Sequence, residues 1–362
     1  MIRVAVIGCG IVGAAIAYEL SSISQLEVTV IDSKTPASGS TGAALGLCMG
    51  VISQKTKGRS WRLRQASLAR YNSLIRELIA TNGEDIPCNR QGILMLRYDD
   101  DDRQKWEKLA EVRSQQGYRL ELWDRNKLSA KCPQIDNNNI IGAIYSPDDL
   151  QVHPQILTDA LVKAASKRGV KWQFETVVEE TIAKCDRVVG LKTSSGPIES
   201  DWLILAAGLG STSLTTSLAS SLDIRPVLGQ ALRLKCDRIL GNADFQPVIT
   251  FDDIHLVPLE NNEYWLGATV EFPPETGEIL PRSELKAEMI EIAIANCPSL
   301  AEAEIISAWS GSRPRPWGQP APVIGKLPGY ANVVLATAHY RNGIFLAPGT
   351  ALEVKKIIES DI

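Results

Sequence analysis

The sequence has few of the features that bind metals, cross membranes or bind nucleic acids. None of its apolar runs approaches the roughly 18 residues of a transmembrane helix, so we expect no membrane span. Its three histidines lie far apart and its seven cysteines include no Cys-x-x-Cys pair, which argues against a metal site and a disulfide framework. The formal net charge of −4 argues against nucleic acid as the main partner, because such binding needs a basic surface.

The length and the start of the chain narrow the class further. At about 150 residues per domain, 362 residues predict about two domains. Residues 1–7 read as a strand that runs directly into glycines, and they lack the basic region and the cleavage site of a signal peptide. Unpaired cysteines in a chain of this size are typical of the reducing cytoplasm, so we expect a cytoplasmic protein.

The first 32 residues have the pattern of a strand, a helix and a second strand. Residues 1–7 form the first strand, residues 14–20 follow a helical pattern, and Glu27–Asp32 reads as a buried strand. The turn before the helix is Gly8-Cys9-Gly10-Ile11-Val12-Gly13, which matches the G-x-G-x-x-G motif of dinucleotide-binding βαβ units. We therefore expect a bound dinucleotide here, and a glycine turn without a ligand is the alternative.

Each glycine of this motif has its own physical role. Gly8 permits the tight turn, Gly10 lets the backbone approach a pyrophosphate, and Gly13 lets the helix pack against the strand. The free N–H groups at the helix N-terminus attract phosphate. Asp32, at the end of the second strand, is placed to accept hydrogen bonds from a ribose, and its charge would repel the 2′-phosphate of NADP. The motif alone does not distinguish NAD from FAD.

Helical and strand patterns alternate along the rest of the chain. Helical spacing predicts helices over about 61–80, 154–168, 281–295 and 348–359. The four aspartates at 99–102 are expected to precede a further helix and to stabilise its N-terminus. Residues 202–208 and 333–338 read as buried strands, whereas residues 224–269 have the pattern of short alternating strands. Segments typical of a nucleotide-binding unit therefore occur at both ends and in the middle.

Six further segments resemble those of one protein family, in the same order. They are Ser40-Thr41-Gly42-Ala43-Ala44-Leu45-Gly46-Leu47, Leu150-Gln151-Val152-His153-Pro154, Leu203-Ile204-Leu205-Ala206-Ala207-Gly208, Val227-Leu228-Gly229-Gln230, Trp309-Ser310-Gly311-Ser312-Arg313-Pro314 and Ala338-His339-Tyr340-Arg341-Asn342-Gly343-Ile344-Phe345-Leu346-Ala347-Pro348. On these segments the sequence resembles the FAD-dependent D-amino-acid oxidase superfamily, and in particular its glycine oxidase-like branch. The resemblance covers nearly the whole chain.

The resemblance implies an α/β fold with two interleaved parts. One is an FAD-binding Rossmann-like domain, and the other is an antiparallel-sheet (α+β) substrate domain of the glycine oxidase and D-amino-acid oxidase type. The FAD-binding domain is expected to be discontinuous, over residues 1–84, 147–218 and 318–362. The substrate-binding domain would comprise residues 85–146 and 219–317. The family also suggests a homo-oligomer.

The resemblance implies FAD as the cofactor, bound non-covalently, because no cysteine lies in a segment that matches the flavin-linking cysteine of sarcosine oxidases. The expected FAD contacts are the motif residues Gly8, Gly10, Ile11, Val12 and Gly13 near the pyrophosphate, Asp32, Ser33 and Val178 at the adenosine, Ser40, Thr41, Leu45, Gly46 and Leu47 along the path to the flavin, Ala207 and Gly208 at a strand end, and His339, Tyr340, Arg341, Asn342, Gly343, Ile344 and Phe345 around the isoalloxazine. The sequence has no second G-x-G-x-x-G, which argues against the NAD(P)H-dependent disulfide reductases.

Three residues are expected to act on the substrate or on the reduced flavin. Arg313 would bind the substrate carboxylate through its two parallel donors, and if it is instead a surface arginine, Arg315 is the substitute. Arg341, together with a helix dipole, would stabilise the anionic reduced flavin. The alternative is a purely structural role in closing the loop before the last helix. His255 occupies the place of a family tyrosine that helps to hold the carboxylate, and it either donates a hydrogen bond or simply packs. This difference, together with the absence of the family's aspartate from Arg315-Pro316-Trp317-Gly318-Gln319, puts glycine itself in question as the substrate.

The implied activity is FAD-dependent oxidative deamination of glycine, another small amino acid or a secondary amine. A hydride would pass from the substrate Cα to flavin N5, and O2 would then reoxidise the flavin and give H2O2. The first alternative is an amino-acid dehydrogenase of the same fold that passes electrons to a quinone or another acceptor. A flavin-binding protein without amine turnover and an NAD-dependent dehydrogenase are the remaining alternatives.

Overall fold

The computed structural model describes residues 1–98, 103–218, 222–274 and 278–362. The acidic run at 99–102 lies outside these residues. The helices are α1 (Ile11–Leu20), α2 (Gly58–Asn82), α3 (Arg103–Gln115), α4 (Arg125–Lys131), α5 (Pro154–Lys167), α6 (Ser211–Thr216), α7 (Ser283–Asn296) and α8 (Gly343–Glu359). The strands are β1 (Ile2–Ile7), β2 (Leu26–Ile31), β3 (Leu47–Cys48), β4 (Cys88–Asn89), β5 (Ile93–Tyr98), β6 (Glu121–Asp124), β7 (Ile140–Ser146), β8 (Leu150–Val152), β9 (Lys171–Gln173), β10 (Val178–Lys184), β11 (Arg187–Thr193), β12 (Gly196–Glu199), β13 (Trp202–Leu205), β14 (Ile224–Lys235), β15 (Val248–Phe251), β16 (Ile254–Pro258), β17 (Glu263–Gly267), β18 (Glu304–Pro316), β19 (Val323–Lys326) and β20 (Val333–Thr337).

A six-stranded sheet with the order β19-β20-β13-β1-β2-β9 carries the glycine-rich turn. Its neighbouring strands are parallel, apart from the antiparallel pair β19 and β20. Strands β13 and β20 are buried along their whole length, as parallel strands covered on both faces are. Helix α1 packs against α5 and α8, and nine of its ten residues are buried. This packing holds the first turn of α1 above the end of β1.

The second large sheet has eight strands in the order β18-β14-β17-β16-β15-β5-β7-β6. Its pairs are antiparallel, apart from the parallel pair β15 and β5. The long strands β14 and β18 pair in a register that sets Val227 opposite Arg313 and Gly229 opposite Gly311. Two of the sequence segments that carry the family resemblance therefore lie side by side. Two smaller sheets, β10-β11-β12 and β3-β8-β4, complete the architecture of the described residues.

The arrangement confirms the predicted fold class. Strands of the six-stranded sheet come from residues 2–31, 171–205 and 323–337, whereas those of the eight-stranded sheet come from 93–146 and 224–316. Each sheet is thus assembled from separate parts of the chain. The residue limits of the two domains stay a prediction.

Helix α8 begins earlier than its sequence pattern predicts. We expect a start near Pro348, but α8 begins at Gly343 and contains that proline. Proline has no N–H to donate to the carbonyl four residues earlier, which belongs to Ile344. The buried Tyr71 hydroxyl, on α2, donates to this carbonyl at 2.6 Å instead. A hydrogen bond from another helix therefore replaces the missing backbone bond, and no local pattern reveals it.

Candidate active site

A cavity of about 730 Å³ is lined by residues from both large sheets. It lies at the C-terminal ends of four parallel strands, where Gly8 follows β1, Asp32 follows β2, Ala206 follows β13 and Ala338 follows β20. In open α/β sheets, ligands bind outside the carboxyl ends of the strands. The volume falls in the range of about 300–1,000 Å³ that is usual for ligand sites.

The glycine turn leaves no space for side chains beneath the cavity. Gly8 has a φ of +105°, and a Cβ there would lie 2.5 Å from the Ala206 carbonyl oxygen. A Cβ on Gly13 would lie 1.9 Å from the Gly8 carbonyl oxygen, so the helix can approach the strand only because residue 13 is glycine. The Ile11 N–H donates to the Thr41 hydroxyl at 3.1 Å. Ile11 and Val12 in the first turn of α1 line the cavity and direct the positive end of the helix dipole toward it.

The Asp32 carboxylate lies at one end of the cavity and is held by the backbone. One oxygen accepts from the Cys9 N–H at 2.6 Å, and the other accepts from the Lys34 N–H at 2.9 Å. A carboxylate offers about four acceptor positions, so capacity remains for the hydroxyls of a ligand. Ser33 and Val178 line the cavity beside it.

Most of the residues expected to bind the cofactor line this single cavity. They are Gly8, Gly10, Ile11, Val12, Asp32, Ser33, Ser40, Thr41, Leu45, Gly46, Leu47, Val178, Ala207, Gly208, His339, Tyr340, Arg341, Gly343 and Ile344. Three of the expected cofactor contacts, Gly13, Asn342 and Phe345, do not line the cavity. Phe345 is buried in the core, where its ring occupies the space beside Gly50. Gly13 contributes indirectly, because the absence of a side chain there lets α1 approach the end of β1 closely.

The loop of small residues before β3 is attached to β18. The Ser40 hydroxyl donates to the Ser312 carbonyl at 2.6 Å, and the Trp309 indole N–H donates to the Ala43 carbonyl at 3.1 Å. A Cβ on Gly311 would lie 2.3 Å from the Ala43 Cβ, so the two segments are in close contact. The cavity wall built by this loop and the strand that carries Arg313 therefore form one unit.

Arg313 extends into the cavity from β18. Its Nη1 donates to the carbonyls of Leu228 and Thr269, both at 3.1 Å. The guanidinium lies against Gly229, where a Cβ would be 2.4 Å from Nη2. Burial lowers the pKa of Arg313, and the nearby positive charge of Arg341 lowers it further. An anion bound here would offset both effects. Arg313 therefore lines the cavity and is not an ordinary surface arginine.

A buried network of hydrogen bonds holds Thr269, whose carbonyl accepts a hydrogen bond from Arg313. The Glu271 carboxylate accepts from the Gln230 amide at 2.8 Å, from the Thr269 hydroxyl at 2.6 Å and from the Arg282 N–H at 2.9 Å. Thr269 thus has its side chain fixed by Glu271 while its carbonyl accepts from Arg313. Sequence analysis missed Thr269 and Glu271 because they follow β17 and no motif includes them.

Arg341 forms an ion pair with Asp253 at the cavity wall. Its Nη1 and Nη2 contact the two carboxylate oxygens at 3.1 and 2.9 Å. The hydrogen bond from Arg341 holds the pKa of Asp253 below its usual value. Sequence analysis missed Asp253, and because 88 positions separate the two residues, no local pattern reveals the pair.

His255 lies buried on the cavity wall, on β16. Its Nδ1 is 3.0 Å from the Thr250 hydroxyl. Burial lowers the pKa of His255 to about 3, with a further contribution from the charge of Arg341, so the imidazole is neutral near pH 7. His339, also on the cavity wall, bonds the Thr350 hydroxyl at 2.9 Å through Nε2, and burial lowers its pKa to about 3.

The described residues show neither a cluster of metal ligands nor a membrane-spanning helix. In the described residues, no group of three or more His, Cys, Asp or Glu side chains is arranged to hold a metal ion. Among the helices of the same residues, none combines the length and the apolar character that crossing a membrane requires.

Comparison with known proteins places the chain in a family. Residues 3–357 match the model of the FAD dependent oxidoreductase family. The chain is similar to the glycine oxidase of Bacillus licheniformis, with 28% identity over 95% of this chain and 89% of the relative. It is also similar to the bifunctional protein ThiO/ThiG of Trichormus variabilis, with 28% identity over 98% of this chain, although it spans only about half (52%) of that relative's length. The solved structure of glycine oxidase from Bacillus cereus superposes with a TM-score of 0.87 at 25% identity, over 100% of this chain and 96% of that one.

The chain therefore belongs to the FAD-dependent oxidoreductase family. The predicted membership in the D-amino-acid oxidase superfamily, glycine oxidase-like branch, is confirmed, and so is FAD as the cofactor. The residues present fit this group. The cavity offers a glycine turn that a Cβ would block, a helix N-terminus for phosphates and a carboxylate for ribose hydroxyls.

Proposed function

We propose that this protein oxidises a small amino acid or secondary amine at its CH–NH bond and uses O2 as the electron acceptor. The observation that carries the proposal is the half-buried Arg313 side chain, which lines the cavity and donates through Nη1 to two backbone carbonyls. Nη2 and Nε make no hydrogen bond with the described residues and are left for a carboxylate. The relatives named glycine oxidase support an amino-acid substrate.

For a primary amino acid, the balanced reaction consumes the amino acid, O2 and water and gives a 2-oxo acid, ammonia and H2O2. For a secondary amine, a primary amine is released in place of ammonia. FAD, when bound, supplies the acceptor for the hydride that leaves the substrate carbon. Ile11 and Val12 would hold its pyrophosphate and Asp32 its ribose, while Tyr340 and Ile344 would lie beside its ring system. These roles rest on the positions of the residues along the cavity.

Arg313 orients the substrate. A carboxylate accepts two parallel N–H donors from a guanidinium, which fixes both the position and the rotation of the bound molecule. The anchoring carbonyls of Leu228 and Thr269 prevent the arginine side chain from moving with the ligand. Holding the reacting carbon in one place is the main contribution that a protein makes to cofactor chemistry.

The charge of Arg313 favours a substrate with an unprotonated amine, and neutral His255 offers it a ring nitrogen. The imidazole is neutral, and because Thr250 engages Nδ1, its Nε2 is the nitrogen left for a ligand. The positive charge of Arg313 disfavours a substrate ammonium group and favours the neutral amine, whereas the charge of Arg341 is offset by its ion pair with Asp253. Only the neutral amine has the nitrogen lone pair that assists loss of hydride from the neighbouring carbon.

The decisive experiment is anaerobic mixing of the purified flavoprotein with a panel of amino acids and N-methyl amino acids. We expect at least one small member to bleach the visible flavin absorbance. Failure of every member to reduce the flavin would refute the proposed function and favour a flavoprotein without amine turnover.

A second measurement tests the electron acceptor. With a substrate from the first panel, O2 uptake and H2O2 release are compared with reduction of an artificial dye or quinone. We expect O2 to support turnover with equimolar H2O2. Turnover with dye or quinone but not with O2 would instead identify a dehydrogenase of the same fold.

A further inference from the structure

A second cavity of about 590 Å³ adjoins the candidate active site at Tyr340. Tyr340 lines both cavities, and Arg315 lines the second one. Arg313 and Arg315 are two positions apart on β18, so their side chains leave the same face of the strand with Cα atoms about 6.6 Å apart. A ligand anchored by Arg313 can therefore extend past Tyr340 toward Arg315.

Aromatic rings surround the Arg315 guanidinium. It lies 5.1 Å from the ring centroid of Phe272, 5.6 Å from that of Tyr340 and 6.0 Å from that of Trp317. In the described ranges of the chain no carboxylate pairs with it. Contacts with aromatic faces hold a guanidinium plane in place and leave its edge donors free for an anion.

The neighbouring arginines differ from Arg315 in this respect. Arg225 lies 4.1 Å from the same Trp317 ring, but it also pairs with Asp223 at 2.8 Å. Arg341 pairs with Asp253 at 2.9 Å. Arg315 is thus a cation beside the site whose charge no acid of the described residues offsets. Such a group is suited to bind an anion that arrives from solution.

Two of the three aromatic residues around Arg315 are themselves exposed. Phe272 is 54% exposed and Trp317 is 53% exposed, so neither belongs to the core. Large exposed aromatic rings grouped around a cation at the mouth of a cavity are typical of a recognition surface. A ligand held by Arg315 would cover part of these rings.

We propose that Arg315 binds a second anionic group of the substrate, so that the enzyme prefers small amino or imino acids with two carboxylates. Arg313 holds the carboxylate next to the reacting carbon, and Arg315 holds the second one beyond Tyr340. This inference rests on the proposed function, because it assumes that Arg313 holds the first carboxylate. It assigns Arg315 to binding and not to the chemical step.

The test uses matched pairs of substrates in anaerobic flavin reduction by the holoenzyme. The pairs are aspartate with asparagine, glutamate with glutamine (each as both enantiomers), and iminodiacetate with N-methylglycine. We expect the dicarboxylic member to bind more tightly in at least one pair. In Arg315→Gln the ratio of the Kd values within that pair should change by about tenfold, as for loss of a charge-assisted hydrogen bond.

The matched control is Arg225→Gln, which removes a guanidinium from the same Trp317 ring without removing the charge beside the site. It should keep the wild-type ratio. Arg315→Lys should retain part of the preference because it retains the charge. Since Arg315 binds and does not react, the limiting rate of flavin reduction by the dicarboxylic substrate should change less than its Kd.

Three outcomes would overturn the inference, and they differ in what they say of the proposed function. Reduction by neutral amino acids without preference for the dicarboxylic members, or equal weakening of both members in Arg315→Gln, overturns the role of Arg315 and leaves the proposed function intact. Failure of every compound to reduce the flavin overturns both.

Discussion

Asp253 and Arg341 form a two-point ion pair on the wall of the candidate active site, with N–O distances of 2.9 and 3.1 Å. The pair joins the turn between β15 and β16 to the segment that follows β20. It therefore connects the eight-stranded sheet to the six-stranded sheet beside the cavity. Arg341 has a fixed place at the site because of a residue from the other sheet.

The variant Asp253→Asn tests this connection. The side chain of Asp253 is 68% exposed, so the pair contributes about 1 kcal/mol or less to folding, and the unfolding temperature should change little. Flavin reduction should slow about tenfold, equivalent to about 1.4 kcal/mol, because Arg341 loses its fixed position. Stopped-flow reduction measures the rate, and Asp252→Asn in the same turn is the control. Equal effects of the two variants would contradict a specific role for Asp253.

The variant Arg313→Ala should abolish most substrate binding and leave FAD bound. Loss of the charged group that anchors the carboxylate costs about 2–5 kcal/mol, which should appear as a large rise in KM and a fall in kcat/KM. Arg313→Lys should recover only part of the loss, because an ammonium cannot present two parallel donors. Steady-state kinetics and the flavin content of each variant measure the effect. Unchanged turnover in Arg313→Ala would exclude this residue as the anchor.

The glycine turn gives a prediction about cofactor content. Gly13→Ala would place a Cβ 1.9 Å from the Gly8 carbonyl oxygen, so α1 must move away from the end of β1. We expect protein with little bound FAD and a lower unfolding temperature. Gly39→Ala is the matched control, since Gly39 also lines the cavity but a Cβ there meets nothing within 4 Å. The flavin-to-protein absorbance ratio compares the two, and FAD-replete Gly13→Ala would contradict the prediction.

The contact between Tyr71 and Ile344 predicts a stability effect. Tyr71→Phe leaves the Ile344 carbonyl without its donor in a buried environment, which should cost about 1–3 kcal/mol in the free energy of unfolding. Pro348→Ala supplies a backbone N–H four residues after Ile344, so it should reduce the cost when combined with Tyr71→Phe. Denaturant unfolding of the four proteins in this cycle measures the coupling. Additive effects would show that Tyr71 does not replace the missing bond.

The buried histidine predicts a pH dependence of stability. The folded-state pKa of His255 is about 3 and its ordinary value is 6.5, so between these values the unfolded chain binds a proton that the folded protein excludes. The stabilising contribution of neutral His255 is therefore complete above about pH 6.5 and is lost as the pH falls toward 3. Unfolding temperatures of His255→Asn should fall less steeply over this interval than those of the wild type. Parallel curves for wild type and His255→Asn would refute the prediction.

Local sequence patterns were sufficient to predict the βαβ unit, the glycine turn and the positions of Gly8, Gly10 and Asp32 beside one cavity. These features depend on neighbours in the chain: alternation predicts the strands, and glycine alone tolerates the φ of +105° at Gly8 and the close approach at Gly13. The start of α8 was predicted too late because proline usually marks a helix start, and its missing bond is here replaced by Tyr71 from a distant helix.

The sequence by itself determined the family, the cofactor and the identity of the two arginines on the cavity wall, since motifs of a few adjacent residues carry that information. Only the tertiary structure decided what surrounds them. Asp253 beside Arg341, the Thr269 carbonyl beneath Arg313 and the aromatic rings around Arg315 come from strands and turns far apart in the chain. Their contacts form when the two large sheets pack together. The spacing of neighbouring residues in the sequence does not predict which distant side chains this packing brings into contact.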